Sequence, residues 1–173
     1  MAKNKITPTN EEKILGENDF IVSKTDTKGI ITYCNEIFMD MAEYTEAELL
    51  GKNHNLIRHP DMPQIAFKVA WDLVQSGKEF FGFVKNLRKN GGYYWVFANI
   101  SPDYDQNGKI IGYTSIRRKP NPDALKTIIP LYQQLLQAEK QGGMNQSLKA
   151  IEALLEEKNM QYNELIVTLQ GIN

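Results

Sequence analysis

Apolar and polar residues alternate in two short runs near the start of the chain, DFIVSKTD at 19–26 and IITYCN at 30–35. A period of two predicts a pair of strands, and the intervening TKG, ending on Gly29, suits a tight hairpin turn. The period then changes. Phe38, Met41 and Ala42, and further on Leu49 and Leu50, recur at helical spacing, with Gly51 as a stop signal. A longer helix starts at Pro63, a favoured first-turn residue, and carries Ile65, Ala66, Val69, Ala70, Leu73 and Val74 to Gly77. Three runs rich in aromatic and β-branched residues follow at 79–89, 93–104 and 109–119, separated by NGG at 90–92 and DQNG at 105–108. These predict a three-stranded meander with hairpin turns. The sum is an α+β fold, a five-stranded antiparallel sheet with helices on one face and a pocket between the two layers.

The pattern divides the chain into a polar arm at 1–18, expected to be loose or partly helical, a domain at 19–120, and an extension at 121–173. In the extension Asn121 is placed to cap a helix with Pro122 at its first position. Pro130 is expected to kink or restart that helix, and Gly142–Gly143 to break it. Asn145 then caps a second helix reaching about Gln170, giving a two-helix extension. Leu125, Ile128, Tyr132 and Leu135 on the first helix follow a spacing of three and four. So do Leu148, Ile151, Leu155, Tyr162, Leu165 and Leu169 on the second, with Lys158 filling one slot. Such stripes pair with each other, with the sheet, or with another chain, as a homodimer or a docked partner.

Composition narrows the function classes. A net charge of −1 removes the electrostatic drive for nucleic-acid binding. The single cysteine, Cys34, excludes an internal disulfide framework and fits a reducing compartment. No apolar run approaches the ~20 residues of a membrane span, and MAKNKITPTNEEK lacks the apolar core of a signal peptide, so a cytoplasmic protein is expected. No Ser/His/Asp set, paired carboxylates or metal-spaced cluster stands out, and an enzyme is not expected.

Two long segments carry a resemblance. YCNEIFMDMAEYTEAELLGKNHNLIRHPDMP and VKNLRKNGGYYWVFANISP…GYTSIRRKP, in this order of elements, resemble the Aer-type, FAD-binding PAS domains of bacterial aerotaxis and energy-taxis receptors. The likeness covers about residues 19–135, and NHNLIRHPDMP and VKNLRKNG are its specific words. It implies a PAS fold, FAD as cofactor, and signalling to a membrane-bound methyl-accepting chemotaxis-type transducer. Because the chain does not continue into membrane helices, it looks like the stand-alone PAS subunit of a bipartite system.

The resemblance gives the loop GKNHNLIRHPDMP at 51–63 a role at the pocket rim. The family's FAD-dependent positions map onto Arg58, His59 and Asp61. Arg58 has the planar fork that clamps phosphate oxygens, His59 adds a donor, and Asp61 holds a basic side chain or a ribose hydroxyl. The plain alternative is a solvated loop with Arg58 and Asp61 as a surface ion pair. Trp71 matches a tryptophan that the family links to flavin binding, although a tryptophan on an apolar helix stripe is also ordinary core. Asn86 and Asn35 are candidates for the polar flavin edge, since an inward amide is costly unless bonded; Asn35 has a helix N-cap as its alternative, and Asn99 is a weaker candidate. His54, also counted among the cofactor-binding candidates, occupies the position at which the blue-light LOV relatives carry their adduct-forming cysteine, so that photochemistry is not expected. His54 and His59 both fall in the predicted loop, so a helix-borne axial haem ligand is not expected. The RRK at 117–119 reads as a solvated strand edge. The expectation is an FAD-binding redox or oxygen sensor for energy taxis; the rival is a PAS interaction module with no flavin.

Overall fold

The computed structural model describes residues 5–171. Strands β1 (Ile21–Asp26), β2 (Ile31–Cys34), β3 (Phe80–Leu87), β4 (Tyr93–Tyr104) and β5 (Ile110–Arg118) form one antiparallel sheet in the order β2-β1-β5-β4-β3. Between β2 and β3 run α1 (Glu36–Ala42), α2 (Glu46–Leu49), a 3-10 turn at His54–Ile57 and α3 (Gln64–Gln75). The predicted α+β architecture is the observed one. Glu43 ends α1 in the left-handed region at φ 64°, and a reciprocal capping box between Thr45 and Glu48 starts α2.

The segment 51–62 is pinned across the inner face of the sheet from both sides. On one side the Ile31 amide donates to the Lys52 carbonyl (2.8 Å) and the His54 amide to the Gly29 carbonyl (2.9 Å). On the other, Arg58 forms an isolated antiparallel bridge with Asn86 of β3. Gly29 sits in the β1–β2 turn at φ +83°, with the Trp71 ring 3.5 Å from where a Cβ would stand. Positive φ and a close ring together favour glycine here.

The arm differs from expectation. It is an extended strap rather than a loose or helical segment; residues 1–4 lie outside the described part. Amides of Thr9 and Lys13 donate to the carbonyls of Gly91 and Tyr93 (both 2.8 Å), and the Tyr93 amide donates back to Glu11 (2.9 Å). β5 pairs with β4 only from Phe97 onward, so the strap occupies ladder positions that β5 leaves open. Leu15, 1% exposed, fixes its end in a core with Phe38, Met41, Leu49 and Tyr94.

The extension holds three helices, not two: α4 (Pro122–Gly142), α5 (Met144–Lys158) and α6 (Tyr162–Gln170). Asn121 caps α4 as predicted, its side chain accepting from the Asp123 amide. Pro130 does not interrupt α4. Pro130 and Lys126 are both exposed, so the carbonyl that loses its helical partner can be hydrated, while Ala124, Ile128, Tyr132 and Leu135 hold the other face. The cap of α5 is Gly143 rather than Asn145. Its end is Asn159, in the left-handed region at φ 50°, after which Gln161 and Glu164 form the capping box of α6.

Both predicted stripes pack within the chain, some of their residues buried and the rest half-buried. Ile128, Tyr132, Leu135, Ile151 and Ile166 share one cluster with Phe83, Trp95 and Phe97 of the sheet. The extension wraps the free edge of β3 and satisfies its backbone. The Tyr132 hydroxyl donates to the Phe83 carbonyl (2.6 Å), Asn163 Oδ1 accepts from the Phe81 amide (3.1 Å), and Asn163 Nδ2 donates to the Glu79 carbonyl (2.8 Å). An open strand edge is thereby closed. No described helix is long and apolar enough to cross a membrane.

Candidate functional site

The period-two alternation of the strands decides what faces the helices. Ser23 and Thr25 of β1, Val84 and Asn86 of β3, Ala98 and Ile100 of β4, and Tyr113, Ser115 and Arg117 of β5 point the same way. Opposite them stand α3, through Ala66, Ala70, Trp71 and Val74, and the 51–62 segment, through Asn53, His54, Ile57, Arg58 and Met62. They enclose a cavity of about 380 Å³, within the range of small-molecule sites. One end is apolar, with Ala70, Trp71, Val74, Phe80 and Ile100; the other gathers Ser23, His54, Asn86 and Arg117.

At the polar end Arg117 is the centre. It is 3% exposed, and its guanidinium donates to Ser23 Oγ (2.7 Å) and to His54 Nε2 (3.0 Å) while lying 4.5 Å from the centroid of the Phe38 ring. A charged donor on Nε2 makes that nitrogen an acceptor and puts the His54 proton on Nδ1. Burial, reinforced by the Arg117 charge, pushes the His54 pKa down to about 3, so the imidazole is neutral at physiological pH. Burial also pulls Arg117 down to about 10, which leaves it charged. No carboxylate partners this cation in any bond or ion pair among the described residues. Its Nε and the Nδ2 of Asn86 are buried without a partner, although buried polar groups are nearly always bonded. Arg117 and Asn86 therefore place a positive charge and buried N–H groups in the cavity wall.

At the rim, the Arg58 guanidinium carbon lies 3.6 Å above the centroid of the Phe67 ring. The stacking holds the side chain at the cavity mouth, and among the described residues no carboxylate bonds its N–H fork. Trp71 meets Tyr113 edge-on at 5.5 Å, forming wall and core together.

The sequence candidates therefore separate. Arg58, Trp71, Asn86 and His54 line the cavity. His59 and Asp61 do not. His59 is buried behind the wall, its Nδ1 accepting from the Asp61 amide (3.0 Å) and its ring edge-on to Tyr93. Burial lowers its pKa, as does the nearby Lys85, against the opposing pull of Asp61. Asp61 pairs with Lys85 (2.8 Å), not with Arg58, and despite partial burial that hydrogen bond and charge hold its carboxyl below the usual range. Asn35 is the N-cap of α1: its Oδ1 accepts from the amides of Val22 and Phe38 (both 3.1 Å), and its Nδ2 donates to the Phe20 carbonyl (2.8 Å). Both polar atoms of its side chain are engaged with the backbone of the fold. Asn99 lies off the cavity, its amide directed to Glu79 and Phe80. The solvated-edge reading of RRK fails for Arg117, which is the most buried cation of the site; Arg118 and Lys119 are half-buried, the first over the Phe97 ring and the second paired with Glu17 at 2.8 Å.

Comparison with known proteins agrees with this architecture. The PAS fold family matches residues 31–117. The aerotaxis receptor of Escherichia coli K12 is 41% identical over 127 residues, 73% of this chain and 25% of the receptor. Phototropin-2 of Oryza sativa subsp. japonica is 31% identical over 87 residues, 50% of this chain and 10% of the phototropin. The chain thus spans a quarter or less of these relatives. Among solved structures, a light-oxygen-voltage domain studied with a flavin analogue superposes with a TM-score of 0.57 at 22% identity, over 66% of this chain and 86% of that domain.

Proposed function

The chain belongs to the PAS fold family, and on that premise we propose that its cavity holds a flavin, as FAD, and that the protein is a redox or oxygen sensor for energy taxis rather than an enzyme. The observation that carries the reading is that Arg117 and Asn86, whose Nε and Nδ2 are buried with no bonded partner, line a cavity whose other end is apolar. An isoalloxazine ring is flat and apolar at its dimethylbenzene end and rich in acceptors at its pyrimidine end, and the two ends of the cavity match that division. The cofactor supplies reversible electron exchange.

Each residue then has a task. Arg117 keeps a positive charge beside the pyrimidine edge, where electron density rises on reduction, and Ser23 and neutral His54 fix its guanidinium. The Asn86 amide offers both a donor and an acceptor to the same edge. Trp71, Val74 and Ile100 exclude water from the apolar end. Arg58, held over Phe67 at the mouth, faces the side from which a pyrophosphate leaves the cavity, which favours FAD over a flavin without it.

The partner in this reading is a membrane-bound methyl-accepting chemotaxis-type transducer, reached from the cytoplasm. The extension covers β3 and β4, and it leaves Tyr33 and Ile116 of the remaining sheet, and Phe20 just before β1, 47%, 44% and 47% exposed. That uncovered face is where we place docking on the transducer or on a second copy.

The test is the absorbance of the purified protein and the identity of what heat releases. Blue and near-ultraviolet flavin bands with FAD in the supernatant are expected. A colourless protein that also fails to take up added FAD would instead make it an interaction module.

A further inference from the structure

α3, the helix that closes the cavity, begins without a cap of its own. Its N-cap residue is Pro63, which has no side-chain acceptor, so the first amides of the helix need partners from elsewhere. The partner comes from 75 residues further along the chain. Both carboxylate oxygens of Glu139, in the last turn of α4, accept from the Gln64 amide, one at 3.0 Å, and one also accepts from the Ile65 amide at 3.4 Å. A carboxylate at a helix N-terminus satisfies the free N–H groups and the helix dipole together.

The same stretch is a wall shared by two compartments. Met62 and Ala66 line the cavity, and both are buried in the cluster formed by Ile128, Tyr132, Leu135 and Ile151 of the extension. Ile65, fully buried, packs in that cluster beside them. Lys140, next to Glu139, contributes to holding the Asp61 carboxyl in its charged form, which ties the preceding loop to the same end of α4. A shift of residues 61–66 relative to the cavity is therefore also a shift relative to α4.

We propose that Glu139 is a latch joining the cavity helix to the C-terminal helices, so that occupancy of the cavity and docking of α4–α6 are thermodynamically linked. A ligand that draws α3 onto the cavity strengthens docking of the extension, and by reciprocity a docked extension strengthens ligand binding. Release of α4–α6 would open the β3 edge at Phe81 and Phe83, which makes the latch a device for exposing a pairing surface. Glu139 is a positioning residue: it touches backbone only. The linkage to flavin rests on the reading above; the capping does not.

The experiment uses the full chain as wild type, E139Q and E139A, stripped of flavin and then titrated with FAD, with amide hydrogen exchange as the readout. Without FAD, the amides at 64–66 should exchange about five- to tenfold faster in E139A than in wild type, with E139Q, which keeps an acceptor oxygen, in between. With FAD bound, wild type should gain protection across α5 and α6, whereas E139A should gain it only around the cavity. Equal exchange at 64–66 in wild type and E139A would overturn the latch. So would bound FAD that leaves α5 and α6 unchanged in wild type, or protects them equally in E139A. Failure of FAD to bind, seen as no flavin absorbance after gel filtration, refutes the cofactor reading instead, and the amides at 64–66 then decide whether Glu139 holds α3.

Discussion

Replacing Arg117 by methionine separates a ligand-facing cation from a structural one. The guanidinium is buried with no carboxylate partner among the described residues, and burial draws its pKa from 12.5 to about 10. At ~1.36 kcal/mol per pKa unit, keeping it charged costs the fold about 3 kcal/mol. Methionine removes that cost and roughly fills the space. It also removes the bonds to Ser23 and His54, worth about 1 kcal/mol each, and the contact with the Phe38 ring, worth about 1 kcal/mol more. Ser23 Oγ and His54 Nε2 lie 3.1 Å apart and keep a bond to each other. The terms nearly cancel, so Arg117→Met should leave the flavin-free fold within about 1 kcal/mol of the parent, where truncation of a well-paired core residue costs about 2–5 kcal/mol. FAD affinity should fall by about ten- to a hundredfold, the worth of one charge-assisted hydrogen bond. Arg117→Lys, with the charge but not the fork, should fall between the two. Urea unfolding followed by Trp71 and Trp95 fluorescence gives the first quantity, and titration of stripped protein with FAD gives the second. A loss of 3 kcal/mol or more with flavin affinity unchanged would refute the reasoning and make Arg117 a residue of the fold.

The other predictions use the same protein. Arg58→Ala should stay folded and retain FAD about ten- to a hundredfold less well; undiminished flavin in the purified variant would remove Arg58 from the cofactor site. Illumination of the flavin-loaded protein should give no long-lived thiol adduct, because the equivalent position is His54 and Cys34 is not among the cavity-lining residues; slow dark recovery of a bleached blue band without reductant would contradict this. His54 has a folded pKa of about 3 against 6.5 when exposed, so the unfolded state binds the extra proton and stability, full above pH 6.5, should decline as pH falls toward 3. Allowing for the partial exposure of His54, about 1–2 kcal/mol should separate urea stabilities at pH 7 and pH 4.5, and His54→Asn should flatten the profile. Tyr132→Phe leaves the buried Phe83 carbonyl without its donor and should cost about 1–2 kcal/mol; no shift of the urea midpoint would mean that water replaces the hydroxyl.

The strands and α3 were legible because their signals are local. Val84 and Asn86, or Tyr113 and Ser115, declare a common face by spacing alone, and the burial of Tyr94, Val96 and Ala98 on β4 follows from the same rule. Arg117 obeys that rule too: two residues beyond Ser115, it belongs to the inward face. Reading RRK as a run of charge hid this, since a charge is expected outside unless it has a partner, and its partner here is a cavity. The stripe Leu148–Leu169 hid the break at Asn159 for a related reason. Apolar spacing survives an interruption when both helices pack on one cluster, and only the pair Gln161 and Glu164 marks the new start.

What the sequence could not show is contact made across long separations. Asn35 and Asn86 are both amides at element boundaries or faces, and nothing local tells which spends its bonds on the backbone; the answer lies with Phe20 and Val22, which Asn35 ties to α1. Arg58, His59 and Asp61 are neighbours, yet the bridge of Arg58 to Asn86 turns the first toward the cavity mouth and leaves the others to Tyr93 and Lys85. Glu139 is the extreme case. As one carboxylate in a polar helix turn it reads as solvated surface, and only the missing cap at Pro63 hints that α3 needs an acceptor from another element. An uncapped helix start beside a cavity is thus a feature a sequence can reveal without naming its partner, and the fold supplies that partner from the segment best placed to carry a signal away.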